Sequence, residues 1–243
     1  MRSGNPVLQE STFTEVSSSS RPMTLTGVVS RSIYLLVLVA IAGAIAWTQS
    51  ASYPAVGYPL ILGGAIGGFI LAIVTSFKRQ WAAITAPLYA ILEGLFVGGI
   101  SFVLEQRFPG LVLQAVLLTF GVAFALLAAY QSRIIRPSET FKAVIFGATA
   151  AIALVYAFSF ILGIFFHISL PLIHESGPIG ITFSLIVTAV AALNLVLDFD
   201  LIENGIAYRA PKWMEWYSAF ALTVTLVWLY IEILRLLSKL RRN

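Results

Sequence analysis

The chain has 243 residues, of which 59% are hydrophobic and only 11% are charged, and its mean hydropathy is +0.92. Soluble domains carry about 25% charged residues, so this composition excludes a soluble globular domain and a disordered chain. The formal net charge of +4 is scattered between apolar stretches, which excludes a nucleic-acid-binding module. Because the chain has no cysteine, disulfides and thiolate catalysis are excluded as well. We therefore predict a compact polytopic membrane protein.

The first 30 residues are polar and rich in Ser, Thr and Pro, which predicts a flexible N-terminal tail. Seven apolar stretches follow, each close to the 20 or so residues that a transmembrane helix needs. They are continuous rather than alternating in hydrophobicity, which favours helices over a β-barrel. We predict an all-α membrane domain of seven transmembrane helices over residues 31–238 and a short basic tail at 239–243. The predicted spans are 32–49, 58–77, 82–104, 111–130, 143–166, 179–197 and 216–237.

Basic residues near the ends of the spans predict the orientation, because short cytoplasmic loops are enriched in Lys and Arg. Nine such residues lie on the side that holds the N-terminus, whereas the opposite loops hold only Arg107. We expect a cytoplasmic N-terminus and, after an odd number of spans, an external C-terminus. The basic C-terminal cluster argues against an external C-terminus, because basic residues favour the cytoplasmic side. The alternative is that the last apolar segment enters the membrane without crossing it. The nine residues are Arg21, Arg31, Lys78, Arg79, Arg133, Arg136, Lys142, Arg209 and Lys212, and the cluster is Arg235, Lys239, Arg241 and Arg242.

Glycines four residues apart in the second and third spans predict close helix packing, because they let two backbones approach each other. The pairs are Gly63 with Gly67, Gly64 with Gly68, and Gly94 with Gly98.

Acidic residues at membrane depth are candidates for function, because a buried carboxylate is costly. Glu93 lies near the middle of the third span, in PLYAILEGLFVGGIS. Two interpretations stay open for it. It is either a protonated acid that is hydrogen-bonded to a neighbouring helix, or an ion- or pH-sensing group.

The end of the sixth span, NLVLDFDLIENG, carries three acids. Asp198 and Asp200 point about 200° apart on a helix, so they cannot serve one partner together. Asp198 shares a face with Asn194, and that face continues back through small and polar residues, so we place Asp198 toward the bundle interior. Asp200 shares a face with Glu203 and is placed toward the interface, where the alternative is a solvated helix end. The other members of the polar stripe are Ser184, Thr188 and Ala191.

The remaining acids and the histidines carry weaker signals. Glu232 and Arg235 are three residues apart, which predicts an ion pair within the last helix. His167 and His174 fall short of a metal-ligand set, since only Glu175 is near them, so we predict no metal and no cofactor. The chain has no nucleophile-elbow, zinc-protease or P-loop pattern, and we predict that it is not an enzyme. An aspartyl protease would need two carboxylates that meet from different helices, such as Glu93 and Asp198, and the sequence leaves this open.

Five segments together resemble the Bax inhibitor-1/YccA-like family of transmembrane Bax-inhibitor-motif proteins, in its bacterial branch. The resemblance covers about residues 22 to 240. It implies seven helices with the last one wrapped by the other six. It also implies a pH-sensitive calcium leak or, in some bacteria, modulation of a membrane-bound protease. The segments are PMTLTGVVSRS, APLYAILEGLFVGGIS, YQSRIIRPSETFK, LDFDLIENG and TLVWLYIEILRLLSKL.

Calcium-conducting members of that family carry two aspartates near the cytoplasmic mouth, one ending the sixth helix and one in the seventh. The first matches Asp198 or Asp200, and the polar stripe favours Asp198. At the second position the sequence departs from the family, because residues 221–228, ALTVTLVW, contain no acid. The nearest carboxylates are Glu215 and Glu232, which makes both weaker candidates for the missing group. Glu93 is a further hypothetical partner.

The resemblance and the acids at membrane depth together predict a pH-sensitive cation (calcium) leak channel in the lipid bilayer, and the resemblance implies the bacterial plasma membrane. Calcium binds 6 to 8 oxygen ligands, so it would bind only transiently, at Asp198 and Asp200. The alternative is a non-conducting membrane regulator that binds a partner such as a membrane-bound protease. The oligomeric state is not determined by the sequence.

Overall fold

The computed structural model describes residues 22–166 and 175–242, and long helices dominate this part of the chain. Seven helices in it are long and apolar enough to cross a membrane. The prediction of a multi-pass α-helical membrane protein is therefore confirmed. A short 3-10 helix, Arg79–Trp81, joins the second and third helices. The seven are α1 Leu25–Ser52, α2 Pro54–Phe77, α3 Ala82–Arg107, α4 Leu111–Gln131, α5 Glu139–Phe166, α6 Pro178–Ala207 and α7 Met214–Leu240.

The helices begin where local chemistry satisfies their first N–H groups. Thr24 caps α1, and its hydroxyl accepts a hydrogen bond from the Gly27 N–H at 3.0 Å. Gly110 precedes α4 with a φ of 79°, a left-handed conformation that glycine adopts without strain. The Glu105 carboxylate accepts hydrogen bonds from the N–H groups of Gly110 and Val112 and so holds this turn. Such caps set the bounds of the helices more finely than hydropathy does.

Two predicted boundaries are wrong at the ends of the membrane domain. The polar tail was expected to reach residue 30, but α1 begins at Leu25, because Thr24 caps it there and Val28 packs against Met23. The basic tail was expected to begin at residue 239, but α7 continues to Leu240, and the Lys239 side chain is buried.

The chain divides into two compact units, which share α3, α6 and α7. The first unit lies within Met1–Gly99 and Asp200–Thr223, and the second lies within Ile100–Phe199 and Val224–Asn243. In the most apolar 18-residue stretch of each helix, 56% of the residues are buried in α7 and between 11% and 33% are buried in the other six helices. This high burial suits a helix that packs on several sides. That the other six wrap around α7 stays a prediction.

Glycines bring α1, α2 and α3 close together in the first unit. A Cβ built at Gly98 would collide with the Gly43 backbone of α1, and one at Gly64 would lie 2.5 Å from the Leu92 carbonyl oxygen. The predicted packing role is therefore confirmed for these positions, as it is for Gly67, Gly68 and Gly94. It is wrong for Gly63, where a Cβ would meet nothing within 4 Å.

The segment before α1 is tied to the connection between α6 and α7, also in the first unit. The Met23 N–H donates to the Ala210 carbonyl at 2.8 Å, and Pro22 lies opposite Pro211 in a single β-bridge. Met23 also packs with Val28, Ile202 and Ala210 in a small apolar cluster. These contacts hold the start of α1 beside the start of α7.

Helices α5, α6 and α7 pack together in the second unit around a cluster of Ile152, Val187 and Val190. The chain directions of α6 and α7 are opposite, because the Lys239 ammonium near the end of α7 donates to the carbonyl of Gly180 near the start of α6. A further contact, 2.7 Å between the Ser101 and Tyr230 hydroxyls, joins α3 to another side of α7.

Candidate functional site

Asp198 lies on α6 where that helix meets α7 in the second unit. Its carboxylate accepts a hydrogen bond from the hydroxyl of Thr225. The other carboxylate oxygen, Oδ2, is buried and has no hydrogen-bond partner among the described residues. A buried polar atom without a partner is rare in proteins, and it indicates a bound water, a bound ion or a functional role. Asp198 therefore has one oxygen available to a ligand or a proton.

The polar stripe behind Asp198 is oriented toward the other helices of the second unit. The Asn194 amide donates to the Thr149 hydroxyl of α5 at 2.8 Å and to the Val190 carbonyl at 2.9 Å. Ser184 is 1% exposed, and its hydroxyl has no partner within the described chain. The stripe thus offers several oxygen atoms along the inside of this unit.

Asp200 lies two residues further along but in the first unit, where its carboxylate accepts a hydrogen bond from the Asn204 amide at 2.9 Å. Glu203, on the same face, is half-buried. In the second unit, the structure places Asp198 beside Thr225, which lies within the acid-free stretch 221–228 of the sequence.

Glu93 lies near the middle of α3 in the first unit and is half-buried. Its Oε2 atom sits against Gly68 of α2, where a built Cβ would come within 2.7 Å of it. Tyr89, one turn earlier on α3, is buried edge-on to Phe220, with ring centroids 5.1 Å apart. Since Glu93 and Asp198 belong to different units, the hypothesis that they act together stays a prediction.

Glu215, at the start of α7, is 1% exposed and is held by two other residues of the first unit. Its Oε1 accepts hydrogen bonds from the N–H and the hydroxyl of Thr24, both at 3.0 Å. Its Oε2 pairs with the Arg31 guanidinium at 2.5 Å, and that guanidinium stacks on Trp216. These contacts make Glu215 an anchor for the start of α1. Sequence reasoning missed this role, since nothing along the chain links positions 191 residues apart.

Glu232, near the other end of α7, is also 1% exposed. The predicted ion pair is confirmed, with Arg235 Nη1 at 2.9 Å and 3.0 Å from the two carboxylate oxygens. The pair is not confined to one helix, because the Tyr156 hydroxyl of α5 donates to Oε1 at 3.0 Å. The Trp228 indole N–H donates to the same oxygen at 3.3 Å. Every oxygen of Glu232 is therefore engaged.

No group of three or more His, Asp or Glu side chains able to hold a metal ion occurs among residues 22–166 and 175–242. His167 and His174, considered in the sequence as a metal pair, lie outside the described residues. The absence of a resident cofactor stays a prediction.

The seven long helices agree with the result of a family comparison. The family model for Bax inhibitor 1 like proteins matches residues 5–242, nearly the whole chain. The chain belongs to the Bax inhibitor 1 like family. No curated protein matches it. Membership agrees with the seven membrane-length apolar helices of the described chain.

Proposed function

We propose that the protein is a pH-sensitive leak for cations, calcium among them, and that Asp198 is its gating carboxylate. The observation that carries the proposal is the buried Oδ2 of Asp198, which has no partner within the described chain although Thr225 binds the same carboxylate. Membership of the Bax inhibitor 1 like family supports it.

The proposed gate works through the charge of Asp198. When the carboxylate is ionised, its unpartnered oxygen attracts a cation, and the hydroxyl and amide oxygens nearby replace part of the cation's hydration shell. When it is protonated, the attraction disappears and the acid becomes a hydrogen-bond donor. A proton and a cation therefore compete for the same oxygen, which makes the leak depend on pH.

Thr225 sets this leak apart from a gate made of two aspartates. A hydroxyl contributes one neutral oxygen where a second carboxylate would add a negative charge, so calcium is held less strongly. We infer a weakly selective leak rather than a calcium-specific one.

Calcium flux into liposomes that contain the purified protein tests the proposal. We expect Asp198→Asn to change the flux at least about threefold and to remove its variation between about pH 5 and 8, because an amide cannot titrate over a range in which protein carboxylates do. Asp200→Asn is the matched control, two residues away on the other side of α6, and should keep the wild-type profile. Thr225→Asp, which supplies a second carboxylate, should raise the preference for calcium over potassium. Wild-type pH profiles in both Asn variants would refute the gating role.

The alternative is a non-conducting regulator that binds a membrane-bound protease. The observation that favours it is that Asp198 meets a threonine of α7 rather than a second carboxylate, because one carboxylate is a poor ligand set for calcium. A folded sample that passes no cation at any pH, together with co-purification of a membrane protease from the cell membrane, would establish the regulator instead.

A further inference from the structure

One face of α7 in the second unit carries polar side chains at intervals of three and four residues. This spacing places them within an arc of about 80° on the helix and spreads them over about 21 Å along its axis. We call this set the polar face of α7. Its members are Thr225, Trp228, Glu232, Arg235 and Lys239.

The polar face is covered by α6, which contacts it at both ends. Thr225 binds Asp198 at one end, and the Lys239 ammonium donates to the Gly180 carbonyl at 2.9 Å at the other. Between them, Trp228 packs against the apolar cluster of Ile152, Val187 and Val190. Along α6 and α7, the Asp198 carboxylate is therefore followed by this apolar layer and then by a group of charged side chains. The charged group consists of Glu232, Arg235 and Lys239.

The charged group contains two cations and one acid. Arg235 binds both carboxylate oxygens of Glu232 and so neutralises it. Lys239 is 3% exposed, and its ammonium donates a hydrogen bond to a backbone carbonyl, that of Gly180. Lysine is almost never fully buried unless it is paired, because its ammonium loses its hydration. With the ammonium ionised, the two positive charges of Arg235 and Lys239 exceed the one negative charge of Glu232, which leaves one positive charge in this part of the second unit.

We propose that Lys239, with Glu232 neutralised by Arg235, sets the charge selectivity of the leak that begins at Asp198. This inference rests on the proposed function. At an effective dielectric constant of about 20, a divalent cation within roughly 10 Å of an ammonium is repelled by several times the thermal energy. The positive charge therefore limits the cations that pass the apolar layer.

Reversal potentials across planar bilayers under a calcium chloride gradient test the inference, because they report the ratio of cation to anion permeability. We expect Lys239→Gln to raise that ratio at least about tenfold, since it removes the unneutralised charge. Lys239→Arg keeps the charge and is the matched control, with a wild-type ratio expected. If Lys239→Gln does not accumulate, Lys239→Met removes the same charge and keeps an unbranched side chain in the buried position.

Four outcomes separate the possibilities. A higher ratio in Lys239→Gln but not in Lys239→Arg supports the inference. A wild-type ratio in Lys239→Gln, with a flux that still depends on Asp198, overturns the inference and leaves the proposed function in place. A lower melting temperature with an unchanged ratio shows a purely structural lysine and also overturns it. No conductance in the wild type or in any variant overturns the proposed function and the inference together.

Discussion

Three acids of this chain, the buried Glu215 and Glu232 and the half-buried Asp198, differ in what satisfies their oxygens. Glu215 and Glu232 each contact an arginine, at 2.5 Å and 2.9 Å, and each also accepts hydrogen bonds from neutral donors. Asp198 has a threonine hydroxyl and one buried oxygen with no partner in the described chain. In a medium of low dielectric constant, an unpaired charge costs far more than a paired one. The first two acids therefore stabilise the fold, whereas the unpartnered oxygen of Asp198 is the basis of its proposed gating role.

Removing the Glu215 carboxylate should destabilise the protein strongly. Glu215→Ala leaves the Arg31 guanidinium without its buried counter-charge, and losing one partner of a buried pair costs about 3 kcal/mol or more. Thermal unfolding of the purified protein in detergent measures the loss. Glu139→Ala is the control, because its pair with Lys142 is exposed and contributes about 0.5 kcal/mol or less. Equal melting temperatures for the two variants would contradict the anchoring role of Glu215.

Helix packing in the first unit depends on which glycines face a backbone. Gly98 of α3 lies against the backbone of Gly43 on α1, and Gly94 lies against Val39 and Ala42 of the same helix. Such close approach lets α1 and α3 gain dispersion contacts along their backbones, since lipid supplies little hydrophobic driving force between helices. The contact is asymmetric, however. A Cβ at Gly43 would come no closer than 3.4 Å to any atom of α3, an ordinary contact distance.

This asymmetry predicts different effects of alanine at the two ends of one contact. Gly98→Ala should lower stability by about 2–3 kcal/mol, because its Cβ meets backbone atoms that have no rotamer to change. Gly43→Ala, at the same crossing, should be tolerated within about 1 kcal/mol. The fraction of protein that stays monodisperse after heating in detergent compares them. A reversed order would show that α1 and α3 cross elsewhere.

Topology across the membrane follows from the number of helices. Helix α7 has 27 residues, or about 40 Å, which exceeds the roughly 30 Å hydrocarbon core of a bilayer. Its length therefore favours a full crossing over the alternative in which the last segment only enters the membrane. Two of the four basic residues that opposed an external C-terminus are also used inside the second unit, Arg235 by Glu232 and Lys239 by the Gly180 carbonyl.

Reporter fusions after Asn243 test this topology in cells. Because nine basic residues mark the side of the N-terminus, we expect a periplasmic or extracellular reporter to be active there and a cytoplasmic one to be inactive. A fusion in the connection between α4 and α5, at Arg136, is the matched control and should show the opposite pattern. Cytoplasmic activity at both positions would mean that the last segment does not cross.

The sequence by itself determined the features that depend on neighbours along the chain. Hydropathy revealed all seven helices, because a span needs a long apolar run wherever its partners lie. Helical periodicity placed Asp198 and Asn194 on one face and paired Glu232 with Arg235, since residues three or four apart meet within one helix. The same local criteria misplaced the start of α1 and the end of α7, where capping and burial extend the helices.

Only the tertiary structure decided which groups meet from different helices. Hydropathy and periodicity carry no information on whether Thr225 faces Asp198, whether Glu215 binds Thr24 and Arg31, or whether Lys239 is buried. These contacts decide whether each carboxylate is neutralised, because the energy of a charge in a low-dielectric interior depends on what lies within a few ångströms of it. The sequence distinguishes these acids only by their neighbours along the chain, whereas their partners across the helices make Glu215 and Glu232 anchors and leave Asp198 with one oxygen that has no partner in the described chain.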